Sequence, residues 1–599
     1  MVGHHAAGSM EWCPHPADLP SRRTLVVVMS FAHRGVVLVT AVLAATLGSM
    51  STPMVAAPLR AELPPSSQRV YFVTESVGLG ATAALPAAFP PDWQVTVDGT
   101  PALFVEQLES KHVRQRVATT PDVFGDAAVV AGGHNFPFWD PARFDRSVDS
   151  IIAALHEAGA EHVFWVTLRE VKPEFISASA WREAQPFYWY FPTVNQHLEA
   201  ALARNPHLTL IGWAAIADRP GITYDAIHLN TAGAALYSDL VATTVMDTLN
   251  RPAAGSVQIV QVGDQGSPAA HPAAVAVNLT VTSPRSTGYL TAYPCSQGRP
   301  QVSNANFVRD QVVASAAIVP IGADGTICVF GQESAHVIVD ISGAFPTGAG
   351  FVPLTPTRLA DTRVGNGAVH APGQPLVVPV LNRSGVPPDA QAVVMTVTAT
   401  EPVAGGFATV TACGTPPTGT SNVNFDPGAT VPNLVIVAPG DSGAVCVTSN
   451  VSTHLIVDVF GSFAPAAGVG LVEPLRIVDT RLDASSTPGA SGVVIMPIAG
   501  AAGVPADATG VMLNLTAVGP DGAGFLTAYP CNAGRPTASN LNVRAEVTRA
   551  NFVLVAPDDD GKICVFTSTR TDVVVDLLGW VGDSFVGTVP TRVLDTRLS

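Results

Sequence analysis

At 599 residues the chain is too long for a single hydrophobic core, so roughly two to five domains are expected. Only 13% of residues are charged, against 50 Pro and 52 Gly, which excludes a disordered chain and points to a globular one with many turns and short strands. A net charge of −16, with no clustered basic face or polybasic segment, excludes a nucleic-acid partner and an electrostatic membrane-surface binder.

Residues 1–28 are polar and bear several His and Pro, and they precede a plausible start at Met29. They read as a leader without structure of its own, or a mis-set start. From Met29 a short basic region, His33 and Arg34, leads into an apolar run from Gly35 to Leu47 and then small residues to Ala56 and Ala57. That order predicts a signal peptide over 29–57 and a secreted, extracellular or cell-surface protein. The run is short for a membrane span; an uncleaved anchor is the alternative. No second long apolar segment follows, so no transmembrane partner is implied.

Residues 66–250 alternate between apolar runs and helix-forming stretches. VYFVTES, WQVTVDG, AAVVAGG, HVFWVTL and LTLIGWAA read as strands. TAALPAAF, ALFVEQLESKHVRQRV, FDRSVDSIIAALHEAG, TVNQHLEAALARN and TAGAALYSDLVATTVMDTL read as helices. Continuously apolar strands are those covered on both faces, so this half is expected to be α/β: a flavodoxin-like, doubly wound, five-stranded parallel sheet. In such sheets the site lies at the carboxyl ends of the strands.

Three short motifs fall at those ends. Ser76 closes the first strand, Gly133 and Asn135 follow the third, and Asp225 and His228 precede the last helix. Alone, Ser76 reads as a helix N-cap, Gly-x-Asn as a turn, and Asp-x-x-His as a cap with a surface His. Together they supply a nucleophile, a base that takes its proton, an acid that fixes the imidazole, and an amide donor for an oxyanion. His134 could line the site, though a loop His bonded to its neighbours is the plainer reading. The aromatic segment WREAQPFYWYFP (181–192), with Phe138 and Trp139, could stack on sugar rings or simply form a packed lid. No P-loop, dinucleotide fingerprint or metal motif follows the first strand, and no cofactor or metal is expected.

These blocks resemble those of the SGNH/GDSL hydrolase superfamily, particularly the extracytoplasmic SGNH domains of bacterial esterases and O-acetyltransferases. The resemblance covers about residues 66–250. The first block reads Thr74-Glu75-Ser76-Val77-Gly78, with Glu75 where the family has Asp. The third reads Gly133-His134-Asn135, with Phe136 in place of Asp. The fifth, Asp225 and His228, matches in full. The resemblance implies Ser76 as nucleophile, His228 as base and Asp225 as its orienting acid. It implies an oxyanion hole from the Ser76 N–H, Asn135 and a second-block glycine, for which Gly99 is the candidate.

Residues 255–599 carry a threefold repeat of 118 residues, in Asn304, Asn422 and Asn540 and in Asp340, Asp458 and Asp576; each unit closes on an Asp-Thr-Arg, at Asp361, Asp479 and Asp595, the last interval being two residues shorter. Short β-branched runs punctuated by Gly, Pro and Asp predict three all-β modules, sandwich- or barrel-like, over 255–363, 364–481 and 482–599. The Asp-Thr-Arg reads as an ion pair pinning a turn, or as a repeated ligand contact. Asn278 and Asn514 match glycosylation sequons but lie inside strands. Six cysteines pair at equal spacing: Cys295 with Cys328, Cys413 with Cys446, Cys531 with Cys564. In an exported chain this argues for three disulfides rather than buried free thiols or a zinc site. The repeats resemble β-modules of secreted actinobacterial proteins, which implies surface or wall association, with a possible glycan contact and no settled ligand.

The function expected is a secreted serine esterase that deacylates a carbohydrate or small ester. The alternatives are an O-acyltransferase acting on cell-surface glycans, and a wall-binding protein with a degenerate hydrolase domain. Transferases of this type usually follow a membrane-embedded donor domain; the chain shows none, which favours hydrolysis.

Overall fold

The computed structural model describes residues 68–598 except 136–139, 176, 178–180, 183, 263–268, 270–271, 365–367, 418, 466 and 483–485. The leader, the signal segment and Phe136, Phe138 and Trp139 lie outside the described residues.

The first half is a five-stranded parallel sheet built from β1 (Arg69–Thr74), β2 (Gln94–Gly99), β3 (Ala127–Ala131), β4 (His162–Val166) and β5 (Leu208–Ile211). The strand order is β2-β1-β3-β4-β5, so the winding reverses between β1 and β3 and opens a crevice at their carboxyl ends. Every residue of β1 after Arg69 is buried. Tyr71 and Val73 enter one core and Val70 and Phe72 the other, which is why the strand lacks polar alternation. Burying each such side chain contributes about 1.5–3 kcal/mol.

Two elements differ from the sequence expectation. The helix over 102–117 is interrupted by a π-turn at Glu109–Val113. The extra residue in that turn brings Val113, rather than His112, onto the face buried with Val105 and Leu108, and His112 Nε2 lies 3.1 Å from Thr100 Oγ1. The fifth strand stops at Ile211, and Trp213–Ile216 forms a helical turn. There the Thr167 hydroxyl takes the Ala214 N–H at 3.0 Å, one of the N–H groups that the first turn of a helix leaves without a backbone partner.

The second half holds six four-stranded antiparallel sheets, set like blades in three pairs. Each pair is a sandwich with its own apolar core. One sheet of each pair also turns its other face to a core shared by all three units, where Ile318 and Phe345 meet Leu434 and Phe463, and Met512 and Phe552. The pairing does not follow the repeat boundaries. The strand Phe351–Asp361, at the end of the first repeat, pairs with His454–Phe463 of the second. Likewise Val469–Asp479 pairs with Asp572–Val581. The last strand, Val586–Asp595, returns to pair with His336–Pro346 of the first. Each donated strand therefore links two units, and the third link closes a ring.

The Asp-Thr-Arg motif lies on these donated strands. Arg358 forks onto Asp458, Arg476 onto Asp576 and Arg592 onto Asp340, each with an Nε donor at 2.9 Å. Within the motif, Arg363, Arg481 and Arg597 bond Asp361, Asp479 and Asp595. Asn278 and Asn514 are buried, and each donates from its amide to a carbonyl of another unit, Ser539 O and Ser421 O.

All three expected disulfides are present, each with a separation of 33 residues. Closing a loop of that length stabilises by about 3–4 kcal/mol in the chain-entropy model. Replacing Cys413 and Cys446 with alanine should lower unfolding stability by that amount, read from the urea midpoint. A midpoint unchanged from the parent would argue that the bond constrains nothing in the unfolded chain.

The two halves touch through the long helix Thr231–Leu249. The buried His336 places Nε2 2.6 Å from Asp247 O and Nδ1 2.9 Å from Thr596 Oγ1. A carbonyl only accepts, so Nε2 carries the proton and Nδ1 receives the Thr596 hydroxyl.

Candidate active site

β1 ends at Thr74, and a one-turn helix, α1 (Ser76–Leu79), follows at once. Glu75, not Ser76, occupies the N-cap position, and no side chain caps the turn. Instead Ser76 Oγ lies 3.0 Å from His228 Nε2. His228 Nδ1 lies 2.6 Å from Asp225 Oδ2. Because a carboxylate only accepts, Nδ1 carries the proton, which leaves Nε2 with a lone pair for the serine hydroxyl. Residues 152 positions apart are thus within hydrogen-bonding reach.

The Asp225–His228 segment is a tight loop closed by a bridge between Thr223 and Leu229. Asp225 Oδ1 accepts the N–H groups of Ile227 and His228 at 3.0 and 2.7 Å. Burial pushes the Asp225 carboxyl up. The His228 N–H, the imidazole and the Ile227 N–H outweigh that and hold it below the usual aspartate range. Between the two residues, Ala226 sits at φ +76°, a left-handed conformation that costs an alanine of order 1 kcal/mol or more and persists only when its surroundings impose it.

Arg169, three residues past β4, supplies much of that imposition. Its guanidinium is buried and donates to Ala226 O at 2.6 Å, Ala217 O at 2.9 Å and Arg219 O at 2.9 Å. Burial pulls its pKa down. The sequence reading overlooked this residue; the available signal was a charged side chain directly after a buried strand, at the end where the site lies. Arg169→Met keeps the apolar stem and removes these bonds. It should lower kcat/KM about 10²-fold by misplacing His228, measured with p-nitrophenyl acetate; unchanged turnover would rule out the anchoring role.

The Gly-x-Asn loop is also clamped. Gly133 has φ +120°. Its carbonyl accepts the Tyr190 hydroxyl at 2.7 Å, and Gly132 O accepts Trp165 Nε1 at 3.0 Å. The fully buried Glu75 accepts His134 N at 2.7 Å and His134 Nδ1 at 2.8 Å. It also accepts the Asn135 amide. The extra methylene of Glu75 is therefore used to reach the loop, and His134 is a bonded loop residue that packs edge-on against Phe191. The other Asn135 N–H contact is a long one, 3.5 Å to Leu103 O.

Gly99 ends β2 directly opposite Thr74. A Cβ there would come within 2.6 Å of Thr74 O, so only glycine lets β2 approach the nucleophile turn this closely. The Ser76 N–H begins its helical turn and so has no carbonyl four residues back within it.

In the aromatic segment Tyr190 and Phe191 are buried, and Phe187 stacks on Phe191 at 5.1 Å. Tyr188 and Trp189 are exposed. Tyr224, another residue the sequence reading overlooked, lies parallel to the His228 ring at 5.7 Å and is 70% exposed. Among the described residues no group of three or more His, Cys, Asp or Glu is placed to hold a metal ion, and no helix is long and apolar enough to cross a membrane.

No family model and no curated protein matches the chain. Among solved structures it is similar to a lipase/acylhydrolase from Enterococcus faecalis, at 17% identity over 30% of this chain and 95% of that one, TM-score 0.23. It is also similar to a putative SGNH hydrolase from Slackia heliotrinireducens, at 18% identity over 30% and 99%, TM-score 0.25. A third is a psychrotrophic esterase from Pseudoalteromonas, at 11% identity over 31% and 100%, TM-score 0.23.

Proposed function

We propose that the chain is an exported serine ester hydrolase that removes an acyl group from a carbohydrate or small ester. The observation that carries this reading is the Ser76–His228–Asp225 relay, with its 3.0 and 2.6 Å contacts at the carboxyl edge of the sheet. Three disulfides fit an oxidising compartment.

In the reaction, His228 Nε2 takes the Ser76 proton as Oγ bonds the ester carbonyl carbon. The resulting imidazolium is stabilised by Asp225. The carbonyl oxygen gains charge facing the Ser76 N–H, with Asn135 and the Gly99 edge flanking it, and donors already in place are worth about 10²–10³ in rate each. The C–O bond to the alcohol breaks, and the alcohol leaves with the proton from His228. Water then gives its proton to His228, attacks the acyl carbon and releases the acid, and Ser76 recovers its proton.

A fluorophosphonate probe tests this directly. It should label the intact chain once, on the Ser76 peptide located by mass spectrometry. Labelling elsewhere, or none with the protein folded, would overturn the assignment.

A further inference from the structure

Where the three β-units meet, they line an open cavity of about 630 Å³ that is separate from the Ser76 site. Its volume is in the range of small-molecule sites, about 300–1,000 Å³. Its walls come from all three repeats: Tyr289 and Asn306 from the first, Asp426 from the second, and Asn542, Arg544 and Arg549 from the third.

The repeat makes the chemistry of this cavity legible. Asn306, Asn424 and Asn542 occupy equivalent positions, each with a serine three residues earlier bonded to its side chain: Ser303 at 2.9 Å, Ser421 at 2.9 Å and Ser539 at 3.2 Å. Only Asn306 and Asn542 line the cavity. One end of each amide is held by its serine, and the other end has no partner among the described residues. Two residues further on, the repeats diverge to Val308, Asp426 and Arg544. Arg544 and Arg549 both donate to Asp426 Oδ2, at 3.1 and 2.7 Å, and among the described residues no hydrogen bond reaches Asp426 Oδ1. The cavity therefore offers amide groups that donate or accept, a charge-assisted acceptor beside charge-assisted donors, and the Tyr289 ring as an apolar face. With the arginines already neutralised in part by Asp426, nothing in the wall selects strongly for an anion, and polar groups interspersed with Phe307, Val308, Val312 and Leu541 suit a ligand that has both polar groups and apolar faces.

We propose that this cavity binds a neutral, hydroxyl-rich ligand, a short stretch of oligosaccharide. Sugar hydroxyls are donors and acceptors at once and pair with amides and with both members of an ion pair. The C–H face of a pyranose covers an aromatic ring. Free oligosaccharide and an insoluble wall polymer present the same chemistry, and the test separates them.

The full chain carrying Ser76→Ala would be titrated calorimetrically with neutral tetrasaccharides of β-1,4-glucose, β-1,4-N-acetylglucosamine and α-1,6-mannose. In parallel it would be tested for retention on cellulose, chitin and yeast mannan. At least one sugar type should bind. Asn306→Ala with Asn542→Ala should weaken that binding at least tenfold, whereas Asn424→Ala, the same repeat position outside the cavity, should leave it unchanged. Thermal melting of each variant checks that the fold is retained. In the parent, retention on the matching polymer together with binding of the free tetrasaccharide identifies an internal-chain site; binding of the free tetrasaccharide without retention identifies a chain-end or free-sugar site. Either supports the assignment. No binding by any of the six sugars, or equal loss in the Asn424→Ala variant, overturns it.

Discussion

Ser76→Ala should reduce ester turnover by about 10⁴–10⁶, with KM little changed. The substitution removes the atom that bonds the acyl carbon and leaves the surrounding clamps intact. His228→Ala should fall in the same range, and the two together should cost little more than either alone, because serine and imidazole act as one unit. Additive losses would show that His228 works apart from Ser76 despite their 3.0 Å contact. Stopped assays on purified protein, with melting curves alongside, give the comparison. The Asp225 carboxyl lies below the ordinary aspartate range, so the acid is charged wherever neighbouring carboxylates are. Its contribution to stability is complete above the unfolded aspartate pKa and is lost as pH falls through the lower folded value.

Arg592→Ala should be strongly destabilising in the β-half. Asp340 is 2% exposed, and the Arg592 fork is its charge-neutralising partner. Removing one member of a buried pair costs about 3–5 kcal/mol. The loss also falls on the strand that closes the ring. Burial already raises the Asp340 carboxyl above its ordinary value, against the opposing pull of Arg592. A carboxyl raised on folding favours the native state below its unfolded pKa and loses that advantage as pH rises through the folded pKa. The deficit of Arg592→Ala should therefore be largest near neutral pH and shrink in acid, where Asp340 is neutral. Urea midpoints at two pH values measure this; a deficit that grew on acidification would mean that Asp340 is not the group left uncompensated.

Much of the α/β half was legible because strands buried on both faces lose their polar alternation, as β1 does with VYFV. The catalytic candidates were legible because three motifs fell at corresponding strand ends. Arg169 was not: read along the chain, an arginine after an apolar run looks solvated, and its value lies in carbonyls about 50 residues away. The π-turn was hidden because Val105, Leu108 and Val113 fit no simple helical period. Strand exchange between units was hidden for a deeper reason. Repeats share their pairing surfaces, so the residues of one strand fit the neighbouring copy as well as their own, and only connection geometry chooses. Asn278 shows the converse: a sequon inside a β-branched run already signalled a paired strand, and its amide is spent on a carbonyl of another unit.

Strand exchange sets a schedule for biosynthesis. During translation the segment His336–Pro346 emerges some 240 residues before its partner Val586–Asp595. Until then one margin of the first sheet has open amides and carbonyls, a template for wrong partners. The α/β half can condense as soon as its own helices are made, but the β-body can finish only after Val586–Asp595 has emerged. Truncations that spare the whole α/β half but remove Val586–Asp595 should therefore still leave an adhesive product, with its unfinished edge beside the helix that bears Asp247.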